Sequence, residues 1–154
     1  MKKNSFLKKL KIKLGKHLAN SFPHNGIRCF GLRLCGFQIG KDVYIGSNFT
    51  VASLISWEGC DLTIEDRVAI GPNVTLVLSS DANNSKLMEV IPSIVGSITI
   101  KHDSWIGAGS VILPNVEIGG MSIVGASSMV NKNVDEYTVV AGNPARFLKK
   151  IEKK

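Results

Sequence analysis

An aliphatic residue returns at every sixth position along much of the chain. Ile100, Ile106, Ile112, Ile118, Val124 and Val130 follow one another without a break. The same spacing joins Ile39, Ile45 and Val51, and again Ile64, Ile70 and Leu76. A repeat this short sets the architecture before any single motif is weighed. The residue after the aliphatic is often glycine (Gly40, Gly46, Gly71, Gly107, Gly119, Gly125). The third residue after it is often Asn, Asp or Gly (Asp42, Asn48, Asn73, Asp103, Gly109, Asn115, Asn133), types that tolerate the left-handed backbone of a sharp corner. The fourth is small or β-branched (Val43, Val68, Val74, Ser104, Ser110, Val116, Ser122, Ser128, Val134). Each unit reads as a short strand and a corner, with the aliphatic and the small residue turned inward onto their counterparts one coil away. The predicted fold is an all-β solenoid.

At 154 residues the chain holds one solenoid plus caps. Low aromatic content suits a stacked Ile/Val core better than a globule built on aromatic anchors. Cys29, Cys35 and Cys60 are too few for a disulfide framework and read as reduced thiols of an intracellular protein. No apolar run has the length of a membrane span, and Lys8, Lys9, Lys11 and Lys13 interrupt any signal-like segment, so the expected location is the cytoplasm. The net charge of +7 comes wholly from residues 1–41, which contain no Asp or Glu.

Three regions follow: a basic N-terminal helix and lead-in (1–38), the hexapeptide region (39–137), and a closing strand with a basic tail (138–154). Residues 4–19 read as a helix with Phe6, Leu7, Leu10, Leu14 and Leu18 on one side and lysines on the other. Gly15 weakens it and the Pro23–Gly26 stretch ends it. Such a helix can cap the open end of the solenoid, rest on anionic lipid as a peripheral contact at the inner face of the membrane, or do both. A nucleic-acid role is not supported, since the basic segment lacks interleaved aromatics. The spacing of thirteen between Val51 and Ile64 implies a one-residue bulge near Trp57–Cys60. Residues from about 80 to 97 keep phase but lose the pattern, which marks an ejected loop of the kind that carries function.

Trp105-Ile106-Gly107-Ala108-Gly109, Ile123-Val124-Gly125-Ala126, Val130-Asn131-Lys132 and Ala141-Gly142-Asn143-Pro144-Ala145-Arg146 add to the repeat. With it they resemble the hexapeptide-repeat acyltransferases, left-handed parallel β-helix proteins, over roughly residues 39–150. The chain is similar to their sugar O-acetyltransferases of the maltose and galactoside type and to enzymes of capsule or O-antigen assembly. The resemblance implies a homotrimer with acetyl-CoA lying in clefts between neighbouring chains. It implies that Ala108 and Ala126 offer backbone groups to the pantetheine arm, that Asn131 and Lys132 lie near the adenosine, and that Arg146 and Lys149 meet the phosphates. Cations at those places suit phosphate chemistry.

In the galactoside-type enzymes a histidine at the start of the ejected loop deprotonates the attacking hydroxyl. Here that position holds Asp81, and a carboxylate is a weak base toward a hydroxyl unless a dry cleft alters it or it orients another base. His102 is the alternative catalytic residue, the one histidine inside the repeats. It sits beside Asp103, in a pairing similar to that of amino-sugar N-acetyltransferases of the same family. Asn83, Asn84 and Ser85 suit recognition of acceptor hydroxyls. The expected activity is acetyl transfer from acetyl-CoA to a hydroxyl of a sugar or glycan precursor, without a covalent enzyme intermediate. The rivals are amino-sugar N-acetylation and a non-catalytic trimeric CoA-binding or scaffold module. No metal is expected: the zinc carbonic anhydrases of this fold need three imidazoles from facing coils, and the repeats contain only His102.

Overall fold

The computed structural model describes residues 2–53 and 60–152, with side chains from Phe6 onward. Helices α1 (Lys2–Ser21) and α2 (Asn25–Leu34) come first. The first circuit of strands is β1 (Gln38–Ile39), β2 (Tyr44–Ile45) and β3 (Thr50–Ala52). The second is β4 (Leu62–Ile64), β5 (Ala69–Ile70) and β6 (Thr75–Val77). The chain then leaves through β7 (Ser79–Ser80), forms a 3-10 turn at Lys86–Glu89, and returns through β8 (Ile94–Val95), antiparallel to β7. The third circuit is β9 (Ile98–Ile100), β10 (Trp105–Ile106) and β11 (Val111–Ile112). The fourth is β12 (Val116–Ile118), β13 (Ile123–Val124) and β14 (Met129–Val130). Strands β15 (Thr138–Gly142) and β16 (Ala145–Lys150) close the chain as an antiparallel pair.

The strands enter three parallel sheets in strict rotation. The first sheet is ordered β1-β4-β9-β12, the second β16-β15-β13-β10-β5-β2, and the third β14-β11-β6-β3. Register places each hexad aliphatic on its counterpart. Ile39, Ile64, Ile100 and Ile118 stack in the first sheet, Ile45, Ile70, Ile106, Val124 and Val140 in the second, and Val51, Leu76, Ile112 and Val130 in the third. Nearly all are buried. The small position is buried too: Val68 and Val74 fill it with methyl groups, while Ser104 and Ser110 send hydroxyls to the Gly119 and Gly125 carbonyls, both at 2.9 Å. The rotation continues past Asp135, because Val134 bridges to Ile118 and β15 pairs in parallel with β13. The slip expected near Trp57–Cys60 lies outside the described residues except for Cys60, which is buried.

Corner geometry follows the third position. Asp42, Asn48, Asn73, Asp103, Gly109 and Asn115 have φ between +55° and +70°. The same turn imposes left-handed backbone on Arg67, Met121, Ser127 and Tyr137, which carry no glycine or Asx chemistry to ease it. Asn133 is not among them; its side chain instead accepts the Glu117 N–H at 2.9 Å.

Two sequence expectations change. The lead-in to the repeats is helix α2, and Gly15 is a contact point rather than a weak spot. A Cβ on Gly15 would stand 2.5 Å from the Gly31 carbonyl oxygen, and one on Gly31 would stand 2.5 Å from the Gly15 oxygen. The two helices cross there backbone to backbone. Together they satisfy the open strand edges of the first circuit. Arg33 donates to Ile39 and Gly40, Asn25 pairs with Val43 and Ile45, Arg28 donates to Ile45, and Asn20 donates to Phe49. Helix α1 packs on α2 through the side bearing Ile12, Gly15 and Ala19, all buried. On the side read as apolar, Phe6, Leu7, Leu10 and Leu14 are exposed and Leu18 is half-buried.

Candidate active site

The three edges where the sheets meet carry different chemistry. The edge between the first and second sheets stacks Glu65–Arg67 beneath Lys101–Asp103. Arg67 holds Asp103 in a fork, Nε to Oδ1 at 2.6 Å and Nη2 to Oδ2 at 2.7 Å. Asp103 Oδ2 also lies 2.9 Å from His102 Nδ1, and the His102 backbone N–H donates to Glu65 Oε2 at 2.9 Å. The Arg67 guanidinium, with the His102 ring second, holds the Asp103 carboxyl down to about 2. An ionised carboxylate only accepts, so Nδ1 carries the hydrogen of that bond and the neutral ring presents its lone pair at Nε2. The ring lies over Gly120, where a Cβ would stand 3.0 Å from Cε1 and Nε2, and the side chain is 51% exposed. A cleft of about 600 Å³ opens beside it, lined by Gln38, Thr63, Glu65, Asp66, Arg67 and His102.

The edge between the second and third sheets is a column of close backbone approaches. A Cβ on Gly71 would meet the Ala108 nitrogen at 2.7 Å, and one on Gly125 would meet the Ala141 Cβ at 2.7 Å. Gly107 stands against Ala126 in the same way. Ala141 is the register partner of Arg146, so the column Ala108–Ala126–Ala141 leads to that arginine. Arg146 shares a depression of about 350 Å³ with Asn131 and Lys132. Lys149 lies on the same strand opposite Val139 and is not part of that lining.

The edge between the third and first sheets bears the ejected loop. Asp81 and Asn83 line a depression of about 370 Å³ with Ser53, Ser79, Ser80 and Lys16. Asp81 Oδ1 accepts the Asn83 N–H at 2.8 Å, which closes a local turn. Lys16 reaches in from α1 and donates to the Ser53 carbonyl and hydroxyl at 3.1 and 2.9 Å; burial pushes its pKa down. Asn84 is exposed, and Ser85 caps the 3-10 turn by accepting the Leu87 N–H.

The structure therefore gathers Asn131, Lys132 and Arg146 at one place and Asp81 with Asn83 at another. His102 stands on a separate edge from either alanine. Sequence reasoning missed Arg67, Glu65 and Lys16. Arg67 had a visible signal: an arginine stands where the hexad pattern favours Asn, Asp or Gly. The cysteines offer no nucleophile, since burial raises all three thiols and takes Cys35 up to about 11. Among the described residues no cluster of His, Cys, Asp and Glu could hold a metal ion, and no helix is long and apolar enough to cross a membrane.

Strand rotation, corner chemistry and the Ala-lined column are those of the hexapeptide-repeat acetyltransferases to which the chain is similar. It is 36% identical over 116 residues to the galactoside O-acetyltransferase of Escherichia coli (strain K12), an alignment covering 75% of this chain and 57% of that protein. It is similar in structure to a maltose O-acetyltransferase from Clostridium difficile 630 (27% identity, TM-score 0.66, covering 98% of this chain and 88% of the other). A galactoside acetyltransferase in complex with coenzyme A is likewise similar (27% identity, TM-score 0.60, covering 99% and 84%). The chain spans between 55% and 59% of the length of the two galactoside O-acetyltransferases and the two putative acetyltransferases it matches. No family model matches it.

Proposed function

We propose that the chain is a left-handed parallel β-helix that assembles as a homotrimer and transfers acetyl from acetyl-CoA to a hydroxyl of a sugar or glycan precursor in cell-surface polysaccharide biosynthesis. The observation that carries the reading is the column Ala108–Ala126–Ala141 ending on Arg146 beside Asn131 and Lys132. A run of small residues lets a thin pantetheine arm lie on the backbone, and cations at its end suit the phosphates of CoA. Lys149 lies three residues further along the same strand, outside that depression. The galactoside and maltose acetyltransferases among its relatives, one of them in complex with coenzyme A, support the same donor and acceptor class.

Trimer formation is supported by apolar surface. On the outer face of the second sheet Tyr44, Ala69, Trp105, Ile123 and Val139 stand in register, with Tyr44 and Trp105 more than half exposed. The loop exposes Leu87, Val90 and Ile91. Surfaces of this kind are normally covered. The second sheet is bounded by the His102 edge on one side and the alanine column on the other. Packing through it brings the donor column of one chain beside residues of the next.

The ejected loop supplies acceptor contacts through Asp81 and Asn83, and His102 is the base. Nε2 takes the proton of the acceptor hydroxyl as its oxygen attacks the thioester carbonyl; the tetrahedral intermediate then collapses. The C–S bond breaks, the imidazolium returns the proton to the departing sulfur, and the products are the acetyl ester and free CoA. Asp103 and Arg67 keep the ring in the productive tautomer. Where the glycan precursor is held at a membrane, the basic N-terminal helix is the part of the chain that meets it. Steady-state kinetics test the donor placement. Arg146→Ala is expected to raise KM for acetyl-CoA about tenfold with little change in kcat, because a remote phosphate contact supplies mainly uniform binding. An unchanged KM would overturn it.

A further inference from the structure

Helix α1 has two apolar faces, and the fold uses one. Ile12, Gly15 and Ala19, at i, i+3 and i+7, are buried against α2. On the opposite side Phe6, Leu7, Leu10 and Leu14 are 69%, 56%, 53% and 50% exposed. From Phe6 to Leu14 this ridge runs about 12 Å along the helix. Lys13 and Lys11 flank the ridge on either side, Lys9 lies further round and Lys8 falls toward the side of Ile12 and Gly15; all four are exposed, and no acidic residue precedes Asp42 to offset them.

Four large side chains left uncovered on one face mark an interaction surface. The charge around them selects the occupant. Copies of this chain meeting through the ridge would bring lysine-rich helices together, and like charges would oppose the contact. An anionic lipid surface satisfies both parts: acyl chains take the Phe and Leu side chains, and headgroup phosphates take the ammonium groups. The lysine stems are long enough to reach the headgroups from beside the ridge.

We propose that α1 docks the protein onto an anionic lipid bilayer, with the Phe6–Leu14 ridge in the acyl boundary and the flanking lysines among the phosphates. Helix α1 lies in the plane of the interface, and its Gly15–Gly31 crossing with α2 carries the strand body above it. Docking stands independently of the acetyl-transfer reading.

Co-sedimentation of the full chain with sucrose-loaded vesicles tests this. Binding is expected to vesicles of phosphatidylcholine mixed with phosphatidylglycerol, weakly or not at all to phosphatidylcholine alone, and to fall as salt rises. Leu10→Glu and Leu7→Glu should each lower the partition coefficient about tenfold or more, with circular dichroism and oligomer size unchanged. Lys11→Gln combined with Lys13→Gln should weaken binding to the mixed vesicles and flatten its salt dependence. Equal vesicle binding by Leu10→Glu and the unaltered chain would overturn the proposal. So would a change of oligomer size in Leu10→Glu alongside an unaltered chain that ignores both kinds of vesicle, which would mean that another copy covers the ridge.

Discussion

Arg67 stands at φ 57°, a left-handed conformation that costs an L-residue with a bulky side chain about 1–2 kcal/mol. Its guanidinium grips Asp103 in the same corner, and Asp103 in turn orients His102. Both ends of the pair are partly exposed, so its worth lies in positioning the imidazole more than in stability. The pH dependence has a definite sign. With its carboxyl held down to about 2, Asp103 contributes stability that is fully present above the ordinary carboxylate range and is lost as pH falls through about 2. The stability difference between the unaltered chain and Asp103→Asn should therefore be constant from neutral pH to about 5 and shrink toward zero near 2, measured by denaturant unfolding. Asn tolerates the left-handed corner, so the substitution adds no backbone strain of its own. A difference that grows on acidification would contradict the assignment. His102 with Asp103 was legible in the sequence as neighbours; Arg67 stood out only as an exception to the corner pattern, and its contact with Asp103 exists only once the circuits stack.

At the scale of the elements, strands and corners were readable because the hexad repeats its instruction in every circuit. One inward aliphatic, one left-handed position and one small residue recur, and the core aliphatics stack as that pattern predicts. Helix α2 was not readable. It is short, contains Gly31, begins with His24 as its cap, and buries Arg28, whose guanidinium is satisfied by the Phe22, Pro23 and Ile45 carbonyls. None of those is an ordinary helix signal; each makes sense only against the open edge of the first circuit. Glycine at 15 looked like a breaker for the same reason, since the partner that needs its missing side chain lies on another helix. Gly15→Val should push α1 off α2 and destabilise the chain by at least about 1–3 kcal/mol in a denaturant midpoint experiment. A midpoint shift within error would mean that the helices do not cross at these glycines.

Across the whole molecule, the groups with chemistry are dispersed over three edges of one three-sided stack. The donor column, the loop depression and the His102–Asp103–Arg67 corner do not converge within a chain. In the proposed trimer a cleft between chains would unite them, and the stripe from Tyr44 to Val139 is the apolar surface on which that assembly rests. The sequence pattern revealed where the repeat lapses, at the loop, but the position of Asp81 drew attention away from the His102 edge. Asp81 spends one carboxylate oxygen on the Asn83 N–H, and His102 is the residue whose partners prepare a proton acceptor. The most direct measurement is acceptor-dependent release of the CoA thiol from acetyl-CoA, followed over a panel of sugars for the unaltered chain and for His102→Ala. The account predicts that at least one sugar accelerates release and that His102→Ala lowers that rate on the order of a hundredfold or more. Acetyl-CoA binding with no acceleration by any sugar, or full rate in His102→Ala, would contradict it.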